Sequence, residues 1–130
     1  MKVRASVKMK LKVITEDAYF TMAEKERIYE AVFKSGADFI KTSTGFAESK
    51  YAVSIGNATT GAEAENVRLM RKVSERLGKQ NVGIKVAGGV RTYAQILELL
   101  EASGRRPDPD HFRVGASGTK AIYEELKDRK

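Results

Sequence analysis

Phe39-Ile40-Lys41-Thr42-Ser43-Thr44-Gly45-Phe46 sets two apolar residues, a lysine, three hydroxyl side chains and a glycine in direct succession. The stretch reads as a short buried strand ending in a polar turn closed by glycine, with the lysine where the strand runs out. At such a position desolvation disfavours the charged form of a lysine and favours a nucleophilic amine. The alternative is a lysine on a solvated surface, which Ile40 on one side and the hydroxyl turn on the other argue against. Val82-Gly83-Ile84-Lys85-Val86-Ala87-Gly88-Gly89 repeats the arrangement, a lysine in a short apolar run that breaks at glycines. Taken alone, Lys85 could equally be a strand-end lysine that snorkels to water, and Gly88-Gly89 is only a turn. Together the two lysines are the main functional signal of the chain.

Working outward, the same pairing of strand and helix recurs. Upstream, Leu11-Lys12-Val13-Ile14-Thr15 is an apolar core strand. Residues 2–11 alternate apolar and polar, which predicts either a longer strand or a separate amphipathic lead-in strand. Thr21 and Glu24 form a capping-box pattern, so a helix follows with Ile28, Ala31, Val32 and Ser35 inward and Gly36 at its end. Residues 46–61 read as a long loop, of the kind that is usually functional or mobile. Thr59 or Thr60 then caps a helix from about Ala62 to Leu77, with Val67, Met70, Val73 and Leu77 inside. Thr92 caps a helix through Leu100 with Ile96, Leu97 and Leu100 inside. A polar connector over 105–110 leads to the strand Phe112-Arg113-Val114-Gly115 and a terminal helix from Thr119. Repeated βα units predict a parallel sheet with helical crossovers, and such sheets bind ligands at the carboxyl ends of their strands. Lys41, Lys85, Gly88, Gly89 and Ser117 all fall at those ends.

Composition narrows the function classes. The 130 residues fit one domain, and 42% hydrophobic residues are enough for a packed core. No apolar run is long enough for a membrane span and the basic start is no secretory signal, so a soluble, cytoplasmic protein is expected. With no cysteine and one histidine there is no disulfide framework, no thiolate chemistry and no histidine-rich metal site. The net charge of +7 fits a phosphorylated metabolite or equally a solvated basic surface; the basic residues are spread along the chain, which argues against nucleic acid as the partner.

Three segments are recognisable. Lys41-Thr42-Ser43-Thr44-Gly45-Phe46, Lys85-Val86-Ala87-Gly88-Gly89-Val90-Arg91 and Phe112-Arg113-Val114-Gly115-Ala116-Ser117 resemble, in order and spacing, motifs of the deoxyribose-phosphate aldolase family. Leu11 to Glu16 is similar to the strand before them. The resemblance implies a (β/α)8 TIM barrel and class I aldolase chemistry: reversible Schiff-base cleavage of 2-deoxyribose 5-phosphate to glyceraldehyde 3-phosphate and acetaldehyde, with no metal and no cofactor. It makes Lys41 the Schiff-base lysine and Lys85 its cationic neighbour. Gly45, Gly88, Gly89 and Ser117 match positions that hold the substrate phosphate, and Arg91 adds charge nearby.

The resemblance covers only the second half of the family's domain, four of its eight βα units. The other half carries the aspartate that relays protons in the family, and nothing here maps onto it. Gly118 stands where the family has a second serine, and the segment over 46–60 is longer than in many members. Residues 1–10 are therefore expected as a lead-in strand and 11–130 as a (β/α)4 half-barrel. Such a piece has two open edges and is expected to have an apolar concave face, which a homodimer or higher oligomer would close. Glu16 or Asp17 is a candidate replacement for the proton relay. Lys12 fits a structural or secondary electrostatic role, His111 a solvated connector, and Tyr51 a rim residue within reach of the site. The alternative function is a non-catalytic, self-assembling half-barrel that at most binds phosphate.

Overall fold

The apolar runs that end at hydroxyls or glycines become adjacent strands of one parallel sheet. In the computed structural model, which describes residues 2–6 and 8–129, these are β1 (Lys12–Ile14), β2 (Phe39–Lys41), β3 (Gly83–Ala87) and β4 (Phe112–Gly115), in the spatial order β1-β2-β3-β4. The helices are α1 (Lys2–Ser6), α2 (Met22–Lys34), α3 (Ser49–Ser54), α4 (Ala64–Arg76), α5 (Tyr93–Ser103) and α6 (Thr119–Asp128), with a 3-10 turn over Asp17–Tyr19. α2, α4 and α5 cross over between consecutive strands, as a parallel ladder requires.

The core lies between the sheet and these helices. Ile40, Ile84 and Val86 are fully buried there, with Phe33, Met70 and Leu99 from α2, α4 and α5. Successive strand residues point to opposite faces. Lys12, Lys41, Lys85 and Arg113 therefore share the other, open face. Phe39 is also on it, yet buried, because the Arg113 guanidinium covers its ring at 4.5 Å. Gly83 makes room for that ring, since a Cβ there would stand 2.3 Å from it. The open face is thus basic rather than apolar as expected.

Two helices begin and end as their sequences dictate. Thr21 and Thr92 each form a capping box, with Glu24 and Gln95 respectively, and Gly104 closes α5 in the left-handed conformation.

Other segments depart from the expectation. Residues 2–6 are a helix, not a strand; Met1, Val7 and Lys130 lie outside the described residues. A period-two pattern needs a neighbouring strand, and among the described residues β1 pairs only with β2. The helix is held instead by the Arg4–Asp38 ion pair, and Asp38 also accepts the Leu11 amide at 2.8 Å. The expected loop over 46–61 contains α3. The N-cap of α4 is Glu63, without a side-chain bond, rather than Thr59 or Thr60. Leu97 is 45% exposed and Leu99 takes the inner position.

The inner face of α2 is Lys25, Tyr29, Val32 and Phe33, with Ala31 exposed. Lys25 can be buried because its amine donates to Asn57 Oδ1 and, at 3.0 Å, to Asn66 Oδ1. Asn57 in turn donates to the carbonyls of Ala18 and Phe20, tying the turn after β1 to the end of α3.

Candidate active site

The site is built at the carboxyl ends of the strands, where each ladder stops and the chain turns. Lys41 is the last residue of β2 and is in register with Lys85 in β3, which is in register with Arg113 in β4. Burial, foremost, holds the Lys85 amine below the ordinary lysine range, and the positive charges of Lys41, Lys12 and Arg113 add to it. None of these four cations forms an ion pair with a carboxylate among the described residues.

Beyond the strand ends lies a cavity of about 420 Å³, lined by Lys41, Thr44, Gly45, Ala87, Gly88, Gly89, Arg91, Gly115, Ala116 and Ser117. The structure so brings Lys41, Gly45, Gly88, Gly89 and Ser117 onto one cavity, with Arg91. Lys85 is absent from the lining and reaches the group through its register with Lys41. Gly88 and Gly89 have consecutive positive φ angles of 90° and 71°. Successive amides in such a turn form a concavity that suits an anion. Among the described residues the amides of Gly45, Gly88 and Gly89 donate to nothing. Ser117 is exposed, and its hydroxyl has only a long contact, 3.4 Å, to the Val90 carbonyl.

Hidden contacts shape this cavity. Thr42 and Ser43 are fully buried, both hydroxyls donate to the Ala87 carbonyl, and the Ala87 amide donates back to Thr42 Oγ1 at 3.1 Å. The motif's first two hydroxyls thus lock β2 to β3, and only Thr44 reaches the cavity. Gly61 lies against Gly88 backbone to backbone: the Ala62 amide donates to the Gly88 carbonyl at 3.0 Å, and a Cβ on Gly61 would stand 2.3 Å from that oxygen. Sequence reading missed Gly61 because its partner is distant in the chain. It also passed over Arg113, and gave Lys12 a minor part although it shares the open face with Lys41 and Lys85. The only trace of either in the sequence was strand alternation.

Neither carboxylate considered as a proton relay faces the lysines. Asp17 is buried, accepts from the Thr15 hydroxyl at 2.7 Å, and burial pushes its carboxyl up to about 6. Glu16 ends on Thr44, whose amide and hydroxyl both donate to it. Tyr51 packs edge-on against Tyr19 at 5.8 Å and does not line the cavity. His111 pairs with Asp108 in the connector before β4. Among the described residues no group of three His, Asp or Glu side chains is arranged to hold a metal ion, and no helix is long and apolar enough to cross a membrane.

The chain is 49% identical over 116 residues to a deoxyribose-phosphate aldolase of Thermoplasma volcanium. Relatives from Pyrobaculum and Thermococcus carry the same name. The Thermoplasma match covers 89% of this chain and 46% of the relative. The aldolase of Pyrobaculum neutrophilum is 41% identical over 112 residues, 86% of this chain and 48% of its own. The chain so spans about half the length of the curated relatives it matches. A solved aldolase, QR15, superposes with a TM-score of 0.69 at 30% identity, over 97% of this chain and 47% of that one. No family model matches.

Proposed function

We propose that this chain carries the Schiff-base side of a deoxyribose-phosphate aldolase site. The observation behind this reading is the in-register pair Lys41 and Lys85 beside a cavity edged by undonated glycine amides. The Lys41 amine adds to the aldehyde carbon of 2-deoxyribose 5-phosphate, and loss of water leaves an imine. As the hydroxyl on the third carbon gives its proton to water, cleavage of the next carbon–carbon bond but one from nitrogen sends its electron pair to the protonated imine and releases glyceraldehyde 3-phosphate. The remaining enamine takes up a proton, and water frees acetaldehyde and the amine. The amides of Gly45, Gly88 and Gly89, with Ser117 and Arg91, hold the phosphate. Lys85 supplies positive charge beside the reacting nitrogen.

In the same reading the chain is a half-barrel in solution, closed by a second copy across its open strand edges. Closure doubles the four cations of Lys12, Lys41, Lys85 and Arg113 in one lumen, so anion binding and assembly reinforce each other. No described carboxylate pairs with them to pass protons, and losing a positioned acid–base group costs about 10²–10⁴-fold in rate. That same lack favours the second reading, a self-assembling half-barrel that binds phosphate without turnover.

The deciding experiment is borohydride reduction with 2-deoxyribose 5-phosphate, followed by intact mass and peptide mapping. An adduct on Lys41, absent in Lys41→Leu, is expected. If a full-length aldolase is trapped in parallel and this chain is not, the second reading replaces the first.

A further inference from the structure

Glu16 is the one described residue other than glycine with a positive φ, at φ 48° and ψ 61°. Residues with a Cβ are disfavoured there, and such residues persist where surrounding contacts over-determine them. The backbone bonds on either side show what holds it. Thr15 donates to the Lys41 carbonyl at 2.9 Å and Asp17 to the Thr42 carbonyl at 3.0 Å. The pairing so advances two residues on the β1 side for one on the β2 side. Glu16 is the extra residue of a bulge, a device that re-aims a side chain.

Its carboxylate is aimed at the site loop. It accepts the Thr44 amide at 3.0 Å through Oε1 and the Thr44 hydroxyl through Oε2. Thr44 Oγ1 in turn accepts the Phe46 amide at 3.1 Å. The loop's own contacts are otherwise sparse: Thr44, Gly45 and Phe46 are exposed, and Gly45 has φ 89° with nothing within 4 Å of a Cβ placed on it. One carboxylate therefore fixes both sides of Gly45, the residue whose amide is free at the cavity.

We propose that Glu16 is a positioning residue, whose bulge and two-point grip on Thr44 hold the Gly45 amide in anion-binding geometry, so that Glu16 sets phosphate recognition without touching the reacting atoms. The proposal rests on the phosphate-binding reading above. It also separates Glu16 from the proton-relay role, because its carboxylate is committed to Thr44.

The test titrates inorganic phosphate into ¹⁵N-labelled protein, following the amides of Gly45, Gly88 and Gly89. Glu16→Gly keeps the backbone at ease but removes the grip; about tenfold weaker phosphate binding is expected, near 1.4 kcal/mol. Glu16→Gln keeps both contacts with its amide oxygen and nitrogen, and should stay within about twofold of the wild type. A carboxylate that only relayed protons would leave phosphate binding unchanged in both variants. Thr44→Val removes the loop's side of the grip, so it should weaken binding like Glu16→Gly, and the double variant should add nothing further. This arm also covers a Glu16→Gly protein that does not fold. Borohydride trapping gives a second readout: Glu16→Gly should lose adduct with 2-deoxyribose 5-phosphate far more than with unphosphorylated 2-deoxyribose. Wild-type affinity in Glu16→Gly or Thr44→Val, or equal loss in Glu16→Gln, overturns the positioning role while leaving the phosphate site in place. No phosphate binding by the wild type overturns both.

Discussion

Lys41 and Lys85 hold the same register position on neighbouring parallel strands, so two amine-bearing side chains leave one face of the sheet a single strand spacing apart. At about 4.8 Å between strands, two positive charges repel unless one gives up its proton or an anion lies between them. The arrangement is unfavourable for folding and useful for chemistry, which makes it the place to begin testing.

Lys85 should titrate below the ordinary lysine value of 10.5, since burial and the charges of Lys41, Lys12 and Arg113 all lower it. Its folded value lies below its unfolded one. The unfolded chain therefore binds more protons in the interval between the two, and this group makes stability rise with pH there. Arg113→Met should move the Lys85 midpoint back up, and Lys12→Met should do the same. Carbon-detected NMR titration of the lysine side chains reads this directly. A Lys85 midpoint unchanged in both variants would mean that the shared face does not couple these charges.

Asp17 has the opposite sign. Burial raises its carboxyl to about 6 from 3.8, so the folded chain holds a proton that the unfolded chain has lost. The contribution is fully present below 3.8 and is lost as pH rises through about 6, amounting to about 3 kcal/mol. Urea unfolding of Asp17→Asn should show a flatter pH dependence between these two values than the wild type. An equally steep slope in the variant would assign the dependence to other groups.

Gly61→Ala should destabilise the protein by about 1–3 kcal/mol, the usual range for overpacking. The new methyl would stand 2.3 Å from the Gly88 carbonyl oxygen and must push the 88–89 turn away. Because that turn edges the cavity, phosphate affinity should fall along with the melting temperature. Gly78→Ala, at a glycine with nothing within 4 Å of an added Cβ, should lower stability alone through its positive φ of 64° and leave affinity intact. Thermal melts and phosphate titrations of the two variants separate these effects.

Light scattering at micromolar concentration should give a dimer or larger particle, and added phosphate should shift the balance towards it. A monomer with and without phosphate would remove self-closure of the sheet edges from the proposed function. Dissociation on adding phosphate would mean that anion and partner copy compete for the basic face.

How much of this was readable from residue order varies with the kind of signal. The strands were readable because each is a short apolar run cut off by hydroxyls or glycine, and their carboxyl ends carry the lysines and the cavity glycines together. The face of α2 was readable only in part, at Val32 and Ile28, because a lysine and a tyrosine took other inner positions. Lys25 is buried only by virtue of Asn57 and Asn66, residues far along the chain whose arrival no local pattern announces. Residues 2–6 carried perfect strand alternation without a strand to pair with. Glu16 looked like a free carboxylate near the site, while its role in the fold depends on a bulge visible only in the hydrogen bonds of its neighbours. Local chemistry was written in the sequence; the identity of each distant partner was not.

The strands stand side by side in the order in which they are synthesised. Each pairing closes one crossover at a time, and no early strand waits for a late one. Each parallel pairing must bring together strands far apart in the chain, which is slow for a free chain, but a growing chain can add each βα unit to those already docked. A ribosome-stalled chain ending after α4 would have the β1–β2 pair within its length, while the Thr42 and Ser43 hydroxyls of the Lys41 turn would gain their acceptor only once Ala87 of β3 follows.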